Sequence, residues 1–265
     1  MLRNAYLKSV LDLRRPIVWW SLGLFLYAFV IVLIYPSFQD IPELNDILGD
    51  EGSLIRAFTG NVDDFASPEG FLTAEMLSFT FPLLYIVFNL WLGTSWLAGE
   101  ERRGSLEVLL SHPVHRTTML LQKFGAMVSG TAALAVVVFI GTLAGVVIVD
   151  MDISLLNVIQ AYIGLALLGI TFGALALLVG AWTGKPGATV GMGGAVGIAA
   201  YVANTFGPIV DGLEWTQYLS PIYYFIGGNP MVNGLNLIHS GVLIGASLVL
   251  VAAASYLFER RDLAV

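Results

Sequence analysis

Cysteine is absent from all 265 residues, so disulfides, thiolate metal sites and thiol nucleophiles are excluded at the outset. Charge is nearly as scarce: 12% of residues are Asp, Glu, Lys or Arg, about half of what a soluble domain uses to cover its surface. The phosphate-cradling pattern Gly-x4-Gly-Lys-Ser/Thr is missing. At its nearest approach, Gly184-Lys185, Val179 stands where the first glycine belongs and Pro186 replaces the hydroxyl residue. Any use of ATP therefore needs another polypeptide. Gly191-x-Gly193 follows no strand, so it is no dinucleotide fingerprint. His112 and His115 stand three apart, but Pro113 breaks a helix between them and no carboxylate pattern completes a metal site. The start lacks a short apolar core followed by a small-residue cleavage site, and no removable signal peptide is expected.

Apolar sequence fills the space. The chain is 57% hydrophobic, and several charge-free runs exceed the roughly 18–20 residues that cross a bilayer. The expected fold is an all-α polytopic membrane protein, one domain over 1–265, with spans at about 17–35, 71–98, 119–149, 156–183, 187–207 and 236–258. Before the first span, Tyr6, Val10 and Leu13 recur at helical spacing among Arg3, Lys8, Arg14 and Arg15. This predicts an amphipathic helix over 2–15 lying at the membrane interface, with Pro16 opening a new helix. Residues 36–70 hold eight acids against the single base Arg56 and read as a solvated loop rather than a calcium loop, whose spacing is missing. From Trp215 to Phe258 there is no charge, too long a stretch for one crossing and marginal for two. Residues 215–235, punctuated by Pro221, Gly227-Gly228 and Asn229-Pro230, are expected to form a re-entrant or interfacial outer hairpin, with Trp215, Tyr218, Tyr223 and Tyr224 at head-group level.

Six crossings return both ends to one side. In that layout eleven of the twelve Lys/Arg, all but Arg56, share a face, which the positive-inside rule makes cytoplasmic. Thirteen of the nineteen acids lie on the other. Because acids and bases are sorted by side of the membrane, the net charge of −7 carries no message about nucleic acid, and none is expected as a partner.

One densely charged connection, 99–123, joins two apolar runs on the basic face. Gly104 permits a tight start, and Glu107 falls where a carboxylate meets the free amides of a first turn. Leu106, Leu109 and Leu110 form one apolar ridge, and Pro113 ends the helix. Spacing alone is equally consistent with a helix resting on lipid. The order Glu100-Glu101, then Gly104-Ser105-Leu106-Glu107-x-Leu109-Leu110-Ser111-x-Pro113-x-x-Arg116, then Lys123, resembles the signature of ABC-2 type transporter permeases.

The resemblance implies that this loop is a cytoplasmic coupling helix seated in a cleft of an ABC-type ATPase subunit. Its residues would be Gly104, Ser105, Leu106, Glu107, Leu109, Leu110 and Pro113, the leucines packing on the partner. Glu100, Glu101 and Arg116 would orient it through partly exposed charge pairs. Two ATPase copies would join two permeases, this chain with a second copy or a homologue, in the cytoplasmic membrane with both termini cytoplasmic. This chain would hold no cofactor, and ATP with magnesium would sit on the partner. The transport path would form between permeases, mainly from spans two and five, where Asn89, Thr94, Ser95, Asn204 and Thr205 are the candidate polar residues. A mildly polar path without charge suits export of an amphipathic or hydrophobic compound such as a drug, antibiotic or lipid-like molecule. Two alternatives stand beside it: a permease serving cofactor or metal-enzyme maturation, and, ranked below transport, an ATPase-independent intramembrane enzyme. Glu100-Glu101 resembles half of a glutamate-and-histidine centre, although these glutamates fall outside the apolar core and His239 is expected at the opposite membrane surface.

Overall fold

The computed structural model describes residues 5–38, 66–102 and 115–261. Every regular element among them is helical, and six helices are long and apolar enough to cross a membrane. In chain order the elements are α1 (Ala5–Ile34), α2 (Pro68–Leu72), α3 (Thr80–Trp96), α4 (Ala98–Arg102), α5 (Arg116–Val149), α6 (Leu155–Thr183), α7 (Pro186–Phe206), α8 (Pro221–Ile226), α9 (Pro230–Asn233) and α10 (Leu237–Arg260).

The amphipathic amino-terminal segment is not a separate helix on the membrane surface. α1 runs unbroken through Pro16 for 30 residues. The stripe of Tyr6, Val10 and Leu13 is real, but its partner is protein: it packs on the first turns of α5. The Tyr6 hydroxyl pairs with Ser129 at 3.0 Å, and the Ala5 amide donates to Gln122 at 2.9 Å. Contacts of Leu13 with Gly130, Phe25 with Gly141 and Val32 with Gly145 run in the same sense along both chains, so α1 and α5 are parallel. Long side-by-side packing keeps α1 continuous where Pro16 forfeits one hydrogen bond.

The second span is interrupted, and Pro82 explains it. A proline here cannot donate to Ser78, and its ring crowds that carbonyl. The chain answers with a π turn over Thr73–Leu77, in which both the Ser78 amide and its hydroxyl bond the Thr73 carbonyl at 2.8 Å. α3 then begins at Thr80.

α6 is the central helix. Within the most apolar stretch of each span, 78% of its residues are buried, against 17% for α1 and for α7. α3, α5, α7 and α10 all pack against it. Glycines permit the closest approach: a Cβ on Gly93 would stand 2.6 Å from the Ala176 Cβ and 2.8 Å from the Gly173 carbonyl. Ser154 caps the start of α6, and Gly184, at φ 63°, closes its end by donating to Gly180.

Residues 215–235 do not cross. They form a 3-10 turn over Glu214–Leu219 and the short helices α8 and α9, laid against the first half of α6 and beside α7 and α10. Asn157 donates to the Met231 and Val232 carbonyls, Gln160 accepts from the Leu235 amide, and Ser220 bonds the Ala200 carbonyl. Irregular backbone is thus satisfied by side chains of the spans. Lys8, Lys123 and Arg261 gather at one end of the bundle, so both described ends of the chain lie there, as the count of bases requires.

Gly141 faces backbone: a Cβ there would sit 2.8 Å from the Phe25 carbonyl oxygen and 3.1 Å from its Cα. Gly141→Val is therefore expected to pry α1 from α5 at a cost of about 1–3 kcal/mol. Gly187→Val, which meets nothing within 4 Å, is expected to leave stability unchanged. Thermal unfolding of the two variants in detergent checks the contrast.

Candidate functional site

The basic end of the bundle is where the chain leaves α4 and returns in α5. A short turn at Leu97 separates α3 from α4 and aims Glu100 back into the protein. Glu100 is 3% exposed and is gripped from two sides. Lys8 of α1 donates to Oε1 at 2.7 Å, and Lys123 of α5 donates to Oε2 at 2.5 Å. Lys123 is itself 1% exposed and also donates to the Trp96 carbonyl at the end of α3. Burial pushes the Glu100 carboxyl up, but the Lys123 and Lys8 ammonium groups outweigh it and hold the pKa below the ordinary value.

Glu101 takes a different partner. Its Oε1 pairs with the guanidinium of Arg261, just beyond α10, while Oε2 is buried and meets no donor among the described residues. Arg261 also donates to the Gly180 and Ala181 carbonyls at 3.1 and 2.9 Å, covering the last turn of α6. Gly184 must be small here, since a Cβ would collide with that guanidinium. Arg116, the first residue of α5, caps the end of α10 by donating to the Phe258 and Arg261 carbonyls at 3.1 and 2.7 Å. Thr117 bonds Glu259 beside it. Five helices, α1, α4, α5, α6 and α10, are tied at their feet by these charges.

The expected orienting residues Glu100, Glu101 and Arg116 are therefore brought into one region, but they point inward. The partly exposed pairing anticipated for them does not describe Glu100, because its two lysines draw it into the protein and their charges compensate its desolvation. Gly104, Ser105, Leu106, Glu107, Leu109, Leu110 and Pro113 lie outside the described residues, as does His112. Lys8 and Arg261 are the charge partners that sequence reasoning missed. For Lys8 the only signal was a base on the buried side of the α1 stripe.

The candidate path residues are not gathered. Asn89, 0% exposed, is a clasp between helices: its side-chain amide donates to the Tyr85 carbonyl and its Oδ1 accepts from Thr131 of α5 at 2.8 Å. A Cβ on Gly169 would stand 2.6 Å from it, which explains the Gly169/Gly173 pair as packing within the chain. Thr94 is buried at the carboxy-terminal end of α3, its hydroxyl without a partner among the described residues, and Ser95 bonds the Leu92 carbonyl. Asn204 is half-buried and Thr205 buried at the carboxy-terminal end of α7. Leu90 meets Gly193, and Ile86 meets Gly197, so α3 and α7 run antiparallel with these two polar groups at opposite ends. His239, near the start of α10, packs on Tyr223 and Tyr224 at the end of the bundle opposite Glu100 and Glu101.

Residues 4–263 match the model of the family described as ABC-2 family transporter protein. The chain belongs to the ABC-2 transporter family. It is accordingly a multi-pass transmembrane permease of an ABC transporter, and the family implies association with an ABC ATPase. No curated protein matches the sequence. In this ABC-2 permease, the charged clasp holds both ends of the connection to which the family resemblance gave the coupling role.

The clasp has a pH signature. A carboxyl whose folded pKa is depressed adds stability above its unfolded value, and that stability is lost as pH falls through the folded value. The thermal midpoint in detergent is expected to drop as pH falls below about 4.5. Glu100→Gln is expected to lower it at neutral pH by the equivalent of about 3–5 kcal/mol, because Lys123 is left buried without its counter-charge. The same variant is expected to flatten the acid limb. Equal midpoints for wild type and variant at pH 7 would remove the clasp from the account.

Proposed function

We propose that this permease exports an amphipathic or hydrophobic compound, a drug, antibiotic or lipid-like molecule, across the cytoplasmic membrane, driven by ATP hydrolysed with magnesium on a separate subunit. The carrying observation is the separation of charge from membrane depth. Among the described residues, the ion pairs stand at the basic end, whereas the hydrogen-bonded side-chain pairs between the spans are neutral: Asn89 with Thr131, Thr142 with Tyr162, Thr171 with Ser247. A path among such helices offers no fixed charge to hold an ion.

In this reading two permease copies, or one with a homologue, assemble with two ATPases, both termini facing the cytosol. The sparse cover on α7, with Val190, Met192, Val196, Ile198 and Val202 exposed, supports a permease neighbour on that side. α7 and α3, with Thr94, Ser95, Asn204 and Thr205, would then line the path. The Leu106, Leu109, Leu110 ridge would pack into the ATPase, and Gly104, Ser105, Glu107 and Pro113 would shape the segment that carries it. Glu100, Glu101 and Arg116 would carry the ATPase stroke into the bundle through the charges that hold them.

Reconstitution with the ATPase that co-purifies tests this. Leu109→Ala combined with Leu110→Ala is expected to reduce substrate-stimulated ATP hydrolysis by roughly tenfold or more, since two buried leucines are worth several kcal/mol at an interface. Helicity and thermal midpoint should be unchanged. In inside-out vesicles, ATP should drive accumulation of an amphipathic dye. Unchanged coupling in the double variant would overturn the lever, and ATP-driven efflux of the dye from these vesicles would overturn the direction.

A further inference from the structure

Threonines on α5, α6 and α7 share one habit. Thr131, Thr142, Thr171, Thr183 and Thr189 each donate to the carbonyl four residues back. The second span departs from it. The hydroxyls of Thr73, Tyr85 and Thr94 are buried and meet no partner among the described residues, and Thr94 makes no bond to the Leu90 carbonyl. A buried hydroxyl left unpaired disfavours the arrangement that strands it by roughly tenfold. α3 carries two of them, Tyr85 at 0% exposure and Thr94 at 7%.

α3 is also a rod between two joints. Its 17 residues are bounded by breaks at Phe79, φ −138° and ψ −57°, and at Leu97, φ −115° and ψ −74°. Its contacts with α6 run in one sense, Phe81 on Tyr162, Asn89 on Gly169 and Gly93 on Gly173, so the two helices are parallel. Tyr85 falls one turn after Phe81 on this face. Aromatic side chains on a helix lean toward its amino terminus, which carries the Tyr85 hydroxyl back toward the level of Tyr162. Tyr162 can receive it. The Thr142 proton goes to the Val138 carbonyl at 3.2 Å, so Tyr162 donates to Thr142 at 2.6 Å and keeps an acceptor site open on its own oxygen.

We propose that α3 slides along α6 toward its own amino-terminal end by up to one helical turn, about 5 Å, and that a new hydrogen bond from Tyr85 to Tyr162 holds the displaced state. Hydroxyls of three helices then form one chain, Tyr85 to Tyr162 to Thr142, ending on the Val138 carbonyl. The stranded phenol keeps the undisplaced state from becoming too stable to leave. Thr94 is a second latent donor. Ile86 meets Gly197 and Leu90 meets Gly193, and one turn further along this antiparallel contact Thr94 falls opposite Thr189. The Thr189 proton is committed to the Lys185 carbonyl, and its oxygen is free to accept. Tyr85 and Thr94 are positioning residues for the stroke, and the inference rests on the ATPase-driven reading above.

The complex with its co-purifying ATPase, reconstituted in nanodiscs, tests the slide. The thermal midpoint of the permease is measured without nucleotide and after trapping with magnesium, ATP and orthovanadate, and ATP hydrolysis is measured on the untrapped complex. Wild type is expected to change its midpoint on trapping. Tyr85→Phe should raise the nucleotide-free midpoint, lower the trapped one and slow hydrolysis by roughly tenfold. Thr94→Val should act in the same sense, and Thr94→Ser should restore wild-type behaviour. In a Tyr162→Phe background, adding Tyr85→Phe should leave the trapped midpoint unmoved, because the acceptor is already gone. Equal shifts in the two states, or a fall in both, would overturn the proposal and leave Tyr85 a packing residue. An unchanged wild-type midpoint on trapping would overturn the ATPase stroke and the slide together.

Discussion

A carboxylate can be buried at the foot of a helix bundle only if counter-charges reach it there, and the base of this permease is organised by that requirement. Desolvating Glu100 costs several kcal/mol before any partner is counted. Two ammonium groups offset the cost, and they come from helices far apart in sequence, Lys8 at 92 residues and Lys123 at 23. Satisfying one side chain therefore fixes α1, α4 and α5 relative to each other. Arg261 and Arg116 extend the arrangement by occupying the free carbonyls of α6 and α10. These groups answer two needs at once, the helix ends that must find donors and the charges that must find opposites.

Deeper in the bundle the organising principle changes from charge to close approach. Water cannot serve buried polar groups at membrane depth, so each polar side chain between helices must find a neighbour. Asn89 can bond Thr131 only because Gly169 and Gly173 let α6 come near enough to enclose it. Such neutral bonds between membrane helices are individually worth about 1 kcal/mol or less. A clasp of that strength aligns helices without locking them, whereas the ionic clasp at the base costs several kcal/mol to break. The bundle thus has a stiff foot and a softer middle, a useful distribution in a protein that must move its spans on each cycle.

The sequence was most legible where physics is local. Span positions followed from charge-free length, the shared side of the two ends from the sorting of bases, and the folded hairpin at 215–235 from its Pro, Gly and Asn punctuation. Pro16 misled because a proline's local cost was read without the 30-residue helix that absorbs it; packing along α5 is a tertiary fact. Glu100 looked exposed for the same reason. Nothing near it in sequence announces Lys8, and a carboxylate beside a charged loop reads as solvated until its distant partner is known. Asn89 was legible as a polar residue at depth, but the choice between a path and a clasp depended on Thr131 and the α6 glycines.

The placement of the clasp bears on how a permease of this family is driven. The connection from α4 to α5 leaves after Arg102, which follows Glu100 and Glu101 directly, and it returns at Arg116, so both of its ends are tied into the bundle. A push on a segment held at one end would be spent in bending that end. Held at both, it has an anchor on either side to receive the push. On the proposed reading, ATPase closure acting there reaches α1 and α5 through Lys8 and Lys123, and α6 and α10 through Arg261 and Arg116. A stiff ionic foot moves these helices as a body. The neutral, glycine-lined contacts above it, Gly93 against Ala176 and Gly193 against Leu90, are the surfaces across which such a movement can be released as sliding between helices rather than as unfolding.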